Sequence, residues 1–135
     1  HMHEPRLSKK AYHVLRTLVG NGIFTGLITA QPEHLVLPIL KKFGILRMFH
    51  FRAYHVLDKK EVIMAVCRNE GIIPKNCFYI GDSPSDITHA KKAGAKAVAY
   101  LNGSMPKDLV LAREPDFAIR DLKEVLAFFG LERWA

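Results

Sequence analysis

Short apolar runs and helix-patterned segments alternate along this chain from one end to the other, and that alternation limits its fold more than any single residue does. Ala11, Val14, Leu15, Leu18 and Val19 recur at helical spacing, and Gly20-Asn21-Gly22 stops the helix. An apolar run at 23–29 then reads as a mostly buried strand. Pro32 suits the first turn of a second helix, with Leu35, Ile39, Leu40 and Phe43 on its inner face and Gly44 at its end. A turn at 46–49 leads into a weaker strand at about 50–56. Asp58 is placed to cap a helix that carries Val62, Ile63 and Val66 to Glu70, closed by Gly71, and Pro74 marks the next turn. Further strands fall at 78–80, 97–100 and 116–119, with helices at 85–93 and 105–113 between them. Leu122, Val125, Leu126 and Phe129 build a last helix, ended by Gly130.

Strands too apolar to keep a wet face, joined by helices, predict an α/β fold: a three-layer, Rossmann-like open parallel sheet covered on both sides. Ligands of such sheets gather beyond the carboxyl ends of the strands, the edge that Thr29 and Asp82 occupy. His1-Met2 reads as the scar of an expression tag. Residues 1–7 are therefore expected to be extended or disordered, and 8–135 to form one domain.

The stretch Phe78-Tyr79-Ile80-Gly81-Asp82-Ser83-Pro84-Ser85-Asp86-Ile87 holds the chemistry. A buried strand delivers Asp82 to its carboxyl end, and Gly81 lets the backbone turn there. Asp86 follows one helical turn later, so both carboxylates can face one point. Two carboxylates that close repel each other unless one is protonated or a cation lies between them, and hard oxygen ligands of this kind suit Mg²⁺. The plainer alternative is a loop in which Asp86 only caps a helix.

Composition excludes other classes. The net charge of +7 comes from Lys and Arg residues spread along the whole chain, with no nucleic-acid motif, so no nucleic-acid partner is expected. A basic surface that attracts phosphorylated small molecules fits better. No apolar run approaches the ~20 residues that span a bilayer, so no membrane partner and a cytoplasmic location are expected. Cys67 and Cys77 have no metal-ligand spacing and read as reduced, buried thiols.

With those residues placed, the chain resembles the haloacid-dehalogenase-like (HAD) hydrolase superfamily, most closely its phosphoglycolate-phosphatase type. Gly81-Asp82-Ser83-Pro84-Ser85-Asp86 resembles the family's fourth motif, whose acidic residues hold Mg²⁺. Leu27-Ile28-Thr29 resembles the second, an apolar strand ending in a hydroxyl that binds the phosphoryl group, with Ala30 beside it. Lys59 matches the third motif's lysine, which steadies the nucleophile's charge and the phosphate; Lys60 is the alternative if the register slips by one. Pro115-Asp116-Phe117 and Leu122 are similar to the closing strand and helix. The resemblance runs from about residue 8 to 130.

One motif of the family has no counterpart. Its first motif is an Asp-x-Asp pair on the central strand, the leading Asp being the nucleophile and the second the general acid and base. No Asp precedes Asp58 here. The resemblance thus implies a HAD-like core without its first central strand, its nucleophile or its cap domain. It predicts a domain inactive alone and weak Mg²⁺ binding. Two alternatives stand beside this: a phosphatase completed by a nucleophile strand from another chain, and a non-catalytic protein that binds a phospho-ligand or a protein partner. Losing a strand from between the one ending at Thr29 and the one ending at Ile80 either pairs those two directly or leaves two open edges. Open edges favour a homodimer or a strand-donating partner.

Overall fold

The structure, a computed structural model, describes residues 5–102 and 105–131. The chain gathers into two compact units: a first that runs to Val56 and resumes at Leu122, and a second formed by Leu57–Asp121.

The first unit contains helix α1 (Pro5–Gly20), strand β1 (Gly26–Ile28), helix α2 (Glu33–Lys42), a 3-10 turn at Leu46–Met48, strand β2 (Phe51–Ala53) and a 3-10 stretch at Leu122–Phe129. β1 and β2 pair in parallel, Gly26 opposite Phe51 and Ile28 opposite Ala53. Bonding continues past both ends of this short pair. The His50 amide donates to the Thr25 carbonyl at 2.9 Å, and the Thr29 amide to the Ala53 carbonyl at 3.0 Å. Thr25 is buried and fully engaged: its amide donates to His50 Nδ1 at 3.1 Å and its hydroxyl to the Met48 carbonyl at 2.5 Å. A buried polar group with partners for both donors costs little, so Thr25 can sit inside the fold and fix the register from which β1 starts. Val36, Leu40 and Ile45 form the core of this unit, with Leu27, Phe49 and Tyr54 packed against them.

The second unit contains helix α3 (Lys59–Glu70), a 3-10 turn at Pro74–Asn76, strand β3 (Phe78–Gly81), helix α4 (Pro84–Ala93), strand β4 (Lys96–Tyr100), helix α5 (Lys107–Leu111) and strand β5 (Phe117–Ile119). All pairing is parallel in the order β3-β4-β5. The middle strand is the most buried one. Ala97, Val98 and Ala99 lose all solvent contact, as a strand buried on both faces requires. Ala97 and Ala99 share one face, where they meet Ile87, Ala90, Val110 and Tyr79. Asp116 fastens the β5 side: its carboxylate accepts the Ala97 amide at 2.7 Å, and its own amide donates to the Ala97 carbonyl at 2.8 Å.

The α/β class and the parallel pairing are as expected, but there are two sheets rather than one. Among the described residues β1 has only β2 as a neighbour and β3 only β4, so each keeps one edge unpaired. Other departures are local. α1 opens at Pro5, inside the stretch expected to be extended, because proline's fixed φ suits the first helical position. Leu40 is fully buried on α2 as expected, but Leu35 is exposed, since Val36, one turn before Leu40, takes the inward place. The last helix is a 3-10 stretch. Leu122 and Val125, and likewise Leu126 and Phe129, lie three apart, a spacing that a 3-10 turn stacks on one side. Among the described residues no helix is long and apolar enough to cross a membrane.

Both cysteines are free thiols, Cys67 buried on α3 and Cys77 half-buried just ahead of β3. Burial, and then the neighbouring Cys67 thiol, push Cys77 from the ordinary 9.0 up to about 11. Its thiolate fraction near pH 8 is therefore about a hundredfold below that of an ordinary cysteine, and it is no nucleophile. Iodoacetamide should alkylate the native protein at Cys77 correspondingly slowly, reaching the unfolded-chain rate only in denaturant. The folded state holds this proton more tightly than the unfolded one. The resulting stability is thus full below pH 9.0 and is lost as pH rises toward about 11.

Candidate functional site

Gly81 ends β3 at a place where no side chain fits. A Cβ there would lie 2.3 Å from the Asp86 Cβ and 2.6 Å from its Oδ2. The first turn of α4 is thus laid directly on the end of the strand, which brings Asp86 against Gly81, the residue before Asp82. Ser83 makes this turn hold. Its hydroxyl accepts the Asp86 amide at 3.2 Å, while Asp86 Oδ2 accepts the Ser83 amide at 3.4 Å. This reciprocal capping box, with Pro84 at the first helical position, satisfies amides that a helix start otherwise leaves open. The Ser-x-x-Asp spacing was the available signal for Ser83, which the motif reading passes over as a linker between two aspartates.

Asp86 is therefore a cap, as the plainer alternative has it, and more than a cap. Its Oδ1 takes the Lys59 Nζ at 2.6 Å, a charge-assisted bond at short range. Lys59 is the first residue of α3, whose preceding residue Asp58 occupies the N-cap position without its side chain bonding to the helix. The expected cap at Asp58 is thus positional only. Asp86 is buried and Lys59 nearly so, with side-chain exposures of 7% and 17%. Asp82 is half-buried and, among the described residues, has no ion-pair partner. Burial, then the Asp86 and Asp82 charges, hold the Tyr79 phenol well above its ordinary range, so this hydroxyl stays protonated beneath the two carboxylates.

The second unit thus holds Lys59, Asp82 and Asp86, and pairs Lys59 with Asp86. Thr29 and Ala30 lie in the first unit, in the loop that follows β1. Thr29 Oγ1 accepts the Gln31 amide at 3.1 Å, and a hydroxyl that accepts keeps its own proton to donate. The loop is tied to the end of β2, since the Val56 amide donates to the Thr29 carbonyl and the His55 amide to the Gln31 carbonyl, each at 3.0 Å. His55 makes this tie in the left-handed region, at φ 58°. Ala30 is exposed, leaving its backbone accessible.

A parallel α/β unit with two carboxylates at the carboxyl end of one strand, one of them paired with a helix-borne lysine, defines a Rossmann-like fold with a charged site at its sheet edge. The chain belongs to the haloacid dehalogenase-like hydrolase family, whose model matches residues 1–100. It is 30% identical over 122 residues to phosphoglycolate phosphatase of Salmonella choleraesuis, covering 87% of this chain and 48% of that protein. It is also 30% identical over 119 residues to a protein of Clostridium perfringens described as a pyrophosphatase, PpaX, covering 84% and 55%. Among solved structures, a predicted phosphoglycolate phosphatase of Haemophilus somnus superposes with a TM-score of 0.80 at 25% identity, over 89% of this chain and 56% of that one. The chain spans about half the length of the curated relatives it matches.

Phosphatases of this family generally work with Mg²⁺. The donor set here fits such an ion in kind, being hard carboxylate oxygen on a rigid strand end and helix start. It is sparse, since no three His, Cys, Asp or Glu side chains converge among the described residues. Asp82 is the carboxylate open to a cation; Asp86 already faces one.

Proposed function

We propose that this chain is a phosphatase-type hydrolase domain whose parent family acts on phosphate monoesters, and that by itself it binds rather than turns over its ligand. One observation carries the reading: Lys59 pairs with Asp86 at the carboxyl end of β3, which Asp82 follows directly, and Asp86 is held by both that ion pair and the capping box. Phosphoryl transfer depends on charge stabilisation around a nucleophile. In the second unit Lys59 would neutralise phosphoryl oxygens; in the first, Thr29 would offer a hydroxyl and Ala30 an amide to phosphate. Asp82, with Asp86, would hold Mg²⁺ weakly; the bound ion supplies further charge neutralisation. The nucleophilic carboxylate is not among these residues, and no Asp precedes Asp58 in the sequence. The ligand class is a phosphorylated small molecule in the cytoplasm.

The unpaired edges of β1 and β3 favour a second reading, in which a strand from another chain or a second copy completes the site and makes it an Mg²⁺-dependent phosphatase. Hydrolysis of p-nitrophenyl phosphate, with and without Mg²⁺, on wild type and Asp82→Ala, separates the two. The first reading expects no turnover, together with amide shifts at Thr29, Ala30 and Lys59 when inorganic phosphate is added. Mg²⁺-dependent turnover lost in Asp82→Ala supports the second. Neither turnover nor phosphate-induced shifts would overturn both.

A further inference from the structure

We propose that the outer edge of β5 is a self-association surface, where the β5 strands of two copies of this chain pair antiparallel across a twofold axis at Ala118. β4 separates this edge from β3 and its charged end, so the proposal stands apart from the open edges of β1 and β3.

β5 ends the second sheet on the side away from β3, and among the described residues its only strand neighbour is β4. The Ile119 carbonyl accepts the Leu101 amide at 2.8 Å, so Ile119 turns its backbone polar groups toward β4. A strand directs successive residues to opposite edges, which leaves the N–H and C=O of Ala118 facing outward. Ala118 is exposed, and its methyl group is too small to screen that backbone. Two antiparallel copies can therefore exchange both bonds between Ala118 and its own counterpart.

Ala118 alone would accept any strand; its neighbours select a second copy of this chain. In the register centred on Ala118, Asp116 stands opposite the partner's Arg120, and Arg120 opposite the partner's Asp116. One favourable cross-strand charge pair thus occurs twice, as a twofold axis requires. Asp116 accepts the Ala97 amide on Oδ2, so its Oδ1 can accept from the partner, and a guanidinium has donors enough to serve more than one contact. Phe117 stands opposite the partner's Ile119. Phe117 is 42% exposed, and its ring centroid lies 6.1 Å from that of Phe78, so an aromatic surface already in place would be covered. Pro115 has no N–H, and Glu114 is left-handed at φ 56°, so the extended span stops at Asp116 and shifted registers lose the charge pairs. The net charge of +7 makes copies repel, but residues 114–121 carry three carboxylates against one guanidinium, so the basic excess is absent at this edge. The paired span is short, which makes the dimer reversible.

Sedimentation velocity of the full chain across a dilution series tests this. Wild type should show a monomer–dimer equilibrium that goes no further, because a twofold pairing closes on itself. Ala118→Pro replaces the outward N–H by a ring, which an edge strand tolerates, and should leave a monomer at every concentration. Arg120→Glu sets like charges opposite each other twice and should weaken the dimer about tenfold or more. Circular dichroism checks each variant; should Ala118→Pro fail to fold, Arg120→Glu decides. A further measurement needs no variant. In wild type the Ala118 amide should exchange with deuterium more slowly as protein concentration rises. A wild type that stays monomeric throughout, or that grows beyond the dimer, overturns the proposal. A dimer that ignores both substitutions pairs through another edge and overturns it as well. Loss of the dimer in Ala118→Pro with no weakening in Arg120→Glu overturns the register centred on Ala118.

Discussion

Gly81→Ala should lower the unfolding free energy by about 3 kcal/mol, measured as a shift in the urea midpoint at constant slope. One methyl group is enough because the added Cβ would stand 2.3 Å from the Asp86 Cβ, an atom fixed to the helix backbone rather than the tip of a movable side chain. Either β3 or the first turn of α4 must shift, and neither is free to do so. β3 is locked to β4 by parallel pairing from Phe78 to Gly81, and α4 is locked by Ile87 and Ala90 in the core. The cause can be isolated. Asp86→Ala keeps a Cβ and should not relieve Gly81→Ala, whereas Asp86→Gly removes it and should. The two double variants would then differ in coupling, though both lose the same carboxylate.

Asp86→Ala alone should cost about 2–3 kcal/mol by the same measurement, toward the low end for a broken buried pair because Lys59 keeps some contact with water. Two things are lost with one carboxylate: the partner of Lys59 at 2.6 Å, and the acceptor of the Ser83 amide at 3.4 Å, which is half of the capping box. Asp86→Asn retains an oxygen for the Ser83 amide and should cost less. A cost for Asp86→Ala no larger than that of Asp86→Asn would mean that the charge, not the cap, holds this turn.

What could be read from residue order was whatever depends on near neighbours. Gly71 and Gly94 end their helices in the left-handed conformation, Pro74 makes the turn before β3, and Asp86 caps the start of α4. Contacts between distant residues left no such trace. Lys59 and Asp86 lie 27 positions apart, and nothing local distinguishes Lys59, which pairs, from Lys60 beside it. Thr25 and His50 are 25 apart, and their bond was not anticipated at all. The inward face of α2 was right at Leu40 but wrong at Leu35 for a related reason. Leu35, Val36, Ile39 and Leu40 are all apolar, so spacing alone cannot choose between two adjacent stripes, and packing against Ile45 makes the choice. The division into two sheets is a matter of which strands find neighbours, and periodicity does not report that.

The small residues of the second unit have a mechanical meaning for its charged end. Ala90 on α4 meets Ala97 and Ala99 on β4, all fully buried, so helix and sheet are separated by little more than methyl groups. That thin layer acts as a spacer, and Gly81 under Asp86 is its thinnest point. Any larger side chain along it would tilt α4 like a lever resting on a thicker shim, and the displacement would be felt at the far end, where Asp86 meets Lys59. The placing of two charges is thus set by the volumes of residues that carry none.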